Sequence, residues 1–191
     1  MTKTVTLIFA FVFAELISVG QTYSSMIKDK EIYEFLNWLA TNEKKLSEEP
    51  KGEIKIITYQ IEPWDSALLL PPDMAKKYRV KNLGRYLFNE EHVDTIFPIK
   101  EQKYLFKQFT SIKDTIWHRS FDNSKLWDGK EQERENRHYY SVPLFSRDRK
   151  YVLIKKLYYC GNVCGYMGYY IYKKIDKKMW KGVRALRTGI S

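Results

Sequence analysis

The chain has little of what builds small cross-linked scaffolds or repetitive polymers. It holds two cysteines, nine glycines and six prolines in 191 residues. Two cysteines exclude a disulfide-dense mini-protein and a zinc site made of four thiolates. So little Gly and Pro excludes a collagen-like or Pro/Gly low-complexity chain. Histidine is scarce as well: only His92, His118 and His138 occur, none with a second His nearby. No Gly-x-Ser-x-Gly, Walker loop, dinucleotide fingerprint or His-Glu-x-x-His is present. No apolar run is long enough for a permanent membrane span.

What is present is apolar and aromatic mass with a basic excess. Hydrophobic residues make up 44% and aromatics 16%, with 15 Tyr among them. Such a chain buries a core and is not disordered. Its length fits one domain. There are 33 Lys plus Arg against 23 Asp plus Glu, a net charge of +10.

The first twenty residues read as a secretory signal. Lys3 supplies the positive start, an apolar stretch follows from Val5 to Val19, and Ser18-Val19-Gly20 places small residues before a cut near Gly20. Glu15 interrupts the apolar stretch, and the alternative is a buried N-terminal helix. No Cys stands near the cut, so a lipid anchor is not supported. Removing residues 1–20 takes away Lys3 and Glu15 together and leaves the net charge of +10 unchanged. The expected compartment is secreted or periplasmic.

Residues 29–45 carry the clearest helical pattern, with Ile32, Phe35, Leu36 and Leu39 on one stripe and Asp29 as N-cap. Residues 53–61 alternate as a strand that Pro63 ends. Residues 67–72 read as a packed loop and 73–88 as a short helix weakened by Gly84. Residues 92–97 read as a second strand. Pro98 then opens a helix over 99–112 with Tyr104, Leu105, Gln108, Phe109 and Ile112 inside. Residues 115–118 read as a further strand. Residues 121–136 are polar and read as a mobile loop, with turn signals at Asp122-Asn123-Ser124 and Asp128-Gly129 and a helical turn at 131–135. Strands are expected at 139–144, 151–160, 166–174 and 179–187. Their short joints make them an antiparallel meander of four strands. The expectation is an α+β fold, with N-terminal and central helices packed on one face of an antiparallel sheet. Residues 1–20 are the signal peptide and 21–191 the single domain.

The last third carries Ser141-Val142-Pro143-Leu144-Phe145-Ser146, Asp148, Lys150-Tyr151 and Tyr158-Tyr159-Cys160-Gly161-Asn162-Val163-Cys164. Gly165, Tyr169-Tyr170-Ile171-Tyr172-Lys173-Lys174, Trp180 and Ile190-Ser191 follow. This pattern resembles a family of uncharacterised secreted or lipid-anchored proteins common in Bacteroidetes, with a C-terminal Tyr-Tyr-Cys-Gly-x-x-Cys-Gly hairpin. The segments Tyr104-Leu105-Phe106-Lys107-Gln108-Phe109 and Glu31-Ile32-Tyr33-Glu34-Phe35-Leu36-Asn37-Trp38-Leu39 are similar to it too. Arg187-Thr188-Gly189 departs from the pattern, which has a Trp there. The resemblance implies a secreted compartment and a cysteine hairpin, and brings no catalytic residue.

Cys160 and Cys164 are separated by three residues, with Gly161 and Asn162 favouring a turn. In an oxidising compartment they can pair, which such a short ring stabilises by roughly 2 kcal/mol. A redox or metal role and free thiols are the other readings. A redox role calls for a low-pKa thiolate at a helix N-terminus. His92, with Glu90, Glu91 and Asp94, reads as a metal site or as a solvated acidic turn. Trp117 and His118 could sit at a cleft mouth or at a buried strand end.

The remaining signal is Tyr with Lys. Tyr158, Tyr159, Tyr166, Tyr169, Tyr170 and Tyr172 crowd one hairpin, flanked by Lys155, Lys156, Lys173, Lys174, Lys177 and Lys178. Aromatic platforms with basic rims bind sugars or anionic polymers. Against that, Tyr pairs well across strands and Lys protects sheet edges. The candidate binding residues are Tyr158, Tyr166, Tyr170, Tyr172, Lys156, Lys173, Trp117 and His118. The expected function is an exported, non-enzymatic domain that binds a glycan or an acidic protein partner. The alternative is a secreted hydrolase near His118 and the sheet. No catalytic residue, metal or cofactor is assigned, and the export signal argues against nucleic acid.

Overall fold

The computed structural model describes residues 21–42, 54–64, 93–129, 136–160 and 165–190. The segment 1–20 read as a signal, the loop and helix expected at 67–72 and 73–88, the turn expected at 131–135, His92 and Cys164 lie outside them.

Helix α1 (Asp29–Asn42) buries Ile32, Phe35, Leu36 and Leu39, the stripe its sequence spacing announces. Asp29 opens it, yet its carboxylate turns back and accepts the Thr22 N–H at 2.9 Å, tying down the segment before the helix. Strand β1 (Lys55–Thr58) follows. The strand expected at 92–97 is instead one helical turn, α2 (Val93–Ile96). β-branched Val93 and Ile96 suggest extended chain, but Val93 and Phe97 are one turn apart and both fully buried. The Phe97 N–H donates to the Val93 carbonyl at 2.7 Å. Helix α3 (Ile99–Thr110) starts directly after Pro98 and buries Gln102, Leu105 and Gln108.

Residues 115–118 form no strand: a single bridge joins Ile116 to Gln60. The loop expected at 121–136 contains strand β2 (Ser124–Trp127). The turn signals around it are real, with Asn123 at φ 53° and Gly129 at φ 91°. The strand exists because Lys55–Thr58 offers it a parallel edge, residue for residue. That support is non-local and leaves no trace in the local pattern.

The strand expected at 139–144 divides into β3 (Arg137–Tyr140) and β4 (Leu144–Phe145). Pro143 has no N–H to place in a ladder. Ser141 carries the pairing one step further, its N–H donating to the Lys155 carbonyl at 3.1 Å and its Oγ accepting the Lys155 N–H at 3.0 Å. Next come β5 (Tyr151–Tyr159), β6 (Gly165–Asp176) and β7 (Met179–Ile190).

Among the described residues, seven strands form one sheet in the order β2-β1-β3-β5-β6-β7, with β4 alongside β5. The expectation of an antiparallel sheet is corrected: the sheet is mixed. β3, β5, β6 and β7 run antiparallel, but β1 is parallel to both β2 and β3. The long connections out of β1 permit the same direction, whereas the short joints of the C-terminal strands do not.

The helices are also not confined to one face. Val152, Ile154, Tyr172 and Trp180 pack with Phe35, Leu36 and Leu39 of α1. Leu153, Tyr169, Ile171 and Leu186 pack with Val93, Phe97 and Leu105 on the other face. The reason is visible in β5, where Val152-Leu153-Ile154 is continuously apolar. A strand with that pattern is covered on both sides. On the α3 side, Gln108 extends the sheet with its side chain: it accepts the Phe145 N–H at 2.9 Å and donates to the Phe145 carbonyl at 2.5 Å. At one corner, Arg149 (φ 59°) bonds Glu31 of α1 at 2.8 Å and the Tyr104 hydroxyl of α3 at 3.0 Å.

Candidate functional site

The candidate binding residues divide into three environments. The first is buried sheet. Lys156 is 4% exposed and Tyr172 8%, and Tyr158 is buried with them. The Lys156 ammonium donates to the Tyr172 hydroxyl at 2.8 Å and lies 3.9 Å from the Tyr170 ring centre. Tyr158 lies between the rings of His138 (4.9 Å) and Tyr166 (5.2 Å). Tyr166 and Tyr170 are partly buried. The structure therefore brings Lys156, Tyr170 and Tyr172 together, and Tyr158 with Tyr166, but as interior packing. The expectation is corrected: Lys156, Tyr158 and Tyr172 are buried, so Lys156 does not stand at the rim of an open platform, while Tyr166 and Tyr170 keep part of their surface exposed. The adjacent Lys155 points to the opposite face, buried, with its ammonium 2.7 Å from Glu62 and 3.0 Å from the Pro63 carbonyl.

The second environment surrounds Trp117 and His118. Trp117 is core, packed on Tyr23 (5.0 Å) and Phe121 (5.2 Å), and does not sit at a cleft mouth. His118 is half exposed, and its Nε2 lies 2.6 Å from Asp114 Oδ2. The other oxygen of Asp114 accepts the N–H groups of Thr115 and Ile116. Burial acts to raise the Asp114 pKa, but His118 and these two amides outweigh it and hold the carboxyl below its ordinary range. The His118 N–H donates to the Tyr23 hydroxyl, which also bonds Tyr33 at 2.6 Å. Burial, with the Tyr33 hydroxyl, holds the Tyr23 phenol protonated well beyond its usual range. This set orders a loop and presents one oriented imidazole.

The third environment is the distal part of the β6–β7 hairpin, and Lys173 belongs to it. Lys173, Lys177, Lys178, Lys181 and Arg184 are exposed and Lys174 partly so; Asp176 is the one acid between 173 and 184. Trp180 anchors the hairpin on α1, with its ring 5.5 Å from Phe35 and 5.6 Å from Trp38. The Lys174 ammonium rests 5.1 Å above the Trp180 ring. Ile175, Met179 and Val183 are 55%, 52% and 46% exposed. Sequence reasoning missed these three, along with Lys181 and Arg184. The sequence carried no decisive signal for them, because the Lys155-Lys156 pair in the same sheet is buried while the Lys177-Lys178 pair is exposed.

Cys160 directly follows β5, among the described residues no cysteine is free, and Cys164 lies outside them. No three His, Cys, Asp or Glu side chains among the described residues are grouped to hold a metal ion. Among the same residues, no helix is long and apolar enough to cross a membrane. No family model matches the chain, and no curated protein or solved structure is significantly similar to it.

Proposed function

We propose that the protein is an exported, non-enzymatic domain that binds an anionic partner through the distal β6–β7 hairpin. The observation that carries this reading is the exposed basic stretch itself: six cations against one acid between residues 173 and 184, five of the six exposed. Clustered charge of one sign raises the local concentration of opposite charge and speeds encounter. The leader-like residues 1–20 and the resemblance to a secreted family support export. The same compartment supports a Cys160–Cys164 bond closing the loop between β5 and β6, which alkylation mass with and without reduction checks.

Retention on immobilised heparin tests the binding reading. The variant Lys177→Glu/Lys178→Glu/Lys181→Glu should elute at clearly lower salt than wild type. Lys28→Glu/Lys30→Glu/Lys107→Glu, at exposed positions off the hairpin and with the same change in net charge, should shift much less. Equal shifts would show that overall charge alone is responsible and would sink the proposal.

A second reading, a secreted hydrolase near His118, is favoured by the carboxylate-oriented, half-exposed imidazole. It requires that wild type cleave a chromogenic ester or glycoside that His118→Ala does not.

A further inference from the structure

The exposed apolar residues of the hairpin are placed by its irregularities. Between the pairs Lys174↔Trp180 and Asp176↔Met179 the ladder passes over Ile175. Between Ile171↔Arg184 and Tyr172↔Gly182 it passes over Val183. Ile175 and Val183 are thus the extra residues of two β-bulges, one on each strand. A bulge takes its residue out of the alternation and re-aims the side chain. Met179 follows the Lys177-Lys178 turn directly. Three large apolar side chains stand in water at the far part of the hairpin, interleaved with Lys173, Lys174, Lys177, Lys178, Lys181 and Arg184.

We infer that the hairpin docks on an anionic phospholipid surface, an inference that rests on the proposed anionic-partner reading. A soluble polyanion satisfies the lysines and leaves Ile175, Met179 and Val183 in water. A lipid interface takes both: the headgroups meet the cations, and the boundary with the acyl chains receives the apolar side chains. Lysine suits this role because its stem lies along apolar surface while its ammonium stays at headgroup level. The bulges also argue against an added partner strand along β7, because they interrupt the regular ladder such a strand needs. Trp180, the second residue after the turn, packs on α1 and holds this part of the hairpin in place.

The test is co-sedimentation of the exported form, residues 21–191, with vesicles of phosphatidylcholine alone and of phosphatidylcholine mixed with phosphatidylglycerol. Wild type should bind the mixed vesicles and not the neutral ones. The variant Ile175→Ser/Met179→Ser/Val183→Ser, altered only at exposed positions, should bind mixed vesicles at least about tenfold more weakly. Its retention on heparin should stay at the wild-type value. If that variant binds mixed vesicles as well as wild type does, the apolar contact is absent and the lipid inference is overturned. If wild type ignores both vesicles but its heparin retention still depends on the hairpin lysines, the anionic partner is an acidic protein or glycan. The lipid inference then fails while the anionic-partner reading stands. If neither the basic nor the apolar variant changes either readout, both fail.

Discussion

The two halves of the C-terminal hairpins use the same residue types for opposite ends. Near Lys155 and Lys156, lysine and tyrosine are interior. Lys155 is held by Glu62 and the Pro63 carbonyl, and Lys156 by a Tyr hydroxyl and a Tyr ring. From Lys173 onward the same residue type faces water, interleaved with exposed Ile175, Met179 and Val183. The side chains do not decide the difference; what lies across the sheet does. α1 and α3 cover β5 from either face, whereas on the distal β6–β7 hairpin Trp180 is buried against α1 and its neighbours on both strands stay exposed. A lysine count, or a Tyr/Lys motif, cannot separate a structural cation from a recognition surface.

Substitutions should expose that contrast, and the largest effect belongs to the inner half. Lys155→Met leaves the largely buried Glu62 carboxylate without its cation. It should cost about 3 kcal/mol, a fall in Tm of roughly 10 °C. Adding Glu62→Gln should recover part of the loss, a coupling that a double-mutant cycle reads by denaturant titration. Lys156→Met removes the hydrogen bond to the Tyr172 hydroxyl and the contact with the Tyr170 ring, and about 1 kcal/mol is expected from these two. Equal losses at the two sites would erase the distinction between an ion-paired and an aromatic-held lysine. In the outer half, Lys177→Glu/Lys178→Glu/Lys181→Glu should leave stability within about 0.5 kcal/mol of wild type while abolishing hairpin-dependent heparin retention. Substantial destabilisation there would mean that the hairpin lysines are structural after all.

The smallest effect lies outside both halves. The Asp114 carboxyl is depressed below its ordinary range, despite some burial, by His118 and two backbone amides. Its contribution to stability is therefore full above the ordinary aspartate range and is lost as the pH falls through the depressed value. His118→Ala should lower stability slightly at every pH above the ordinary aspartate range, neutrality included, with the difference from wild type fading as the pH falls through the depressed value. Because the pair is solvent-screened, the change should be slight. A larger change near neutral pH would show that the imidazole has a second partner.

The parts of the fold legible in the sequence are those set by local periodicity. Ile32, Phe35, Leu36 and Leu39 announced α1, Pro98 announced the start of α3, and the turn residues between β5, β6 and β7 announced antiparallel neighbours. What escaped was decided at a distance. β2 has no periodic signature because its reason for existing is the edge of β1, dozens of residues earlier. Val93 and Ile96 have strand-like side chains, and burial of Val93 and Phe97 on one side is what winds them into a turn. Coverage of both sheet faces was written into Val152-Leu153-Ile154, where apolar residues succeed each other without alternating, but only the missing alternation conveyed it. At the candidate site, Lys173 is exposed. Lys156, Tyr158 and Tyr172 are buried, which the sequence did not reveal because burial follows from α1 and from strand pairing rather than from residue type. The apolar tip was hidden because bulges at Ile175 and Val183 suspend the alternation by which faces are assigned.

Arg149 gives the two outer layers a shared fate. Its guanidinium bonds Glu31 of α1 and the Tyr104 hydroxyl of α3 across the end of the sheet, and these partners, against the cost of burial, raise its pKa and keep it charged. Either helix can detach only by releasing a contact that also steadies the other. The sandwich should therefore lose its two coverings in one cooperative event, with amide exchange in α1 and α3 governed by the same opening.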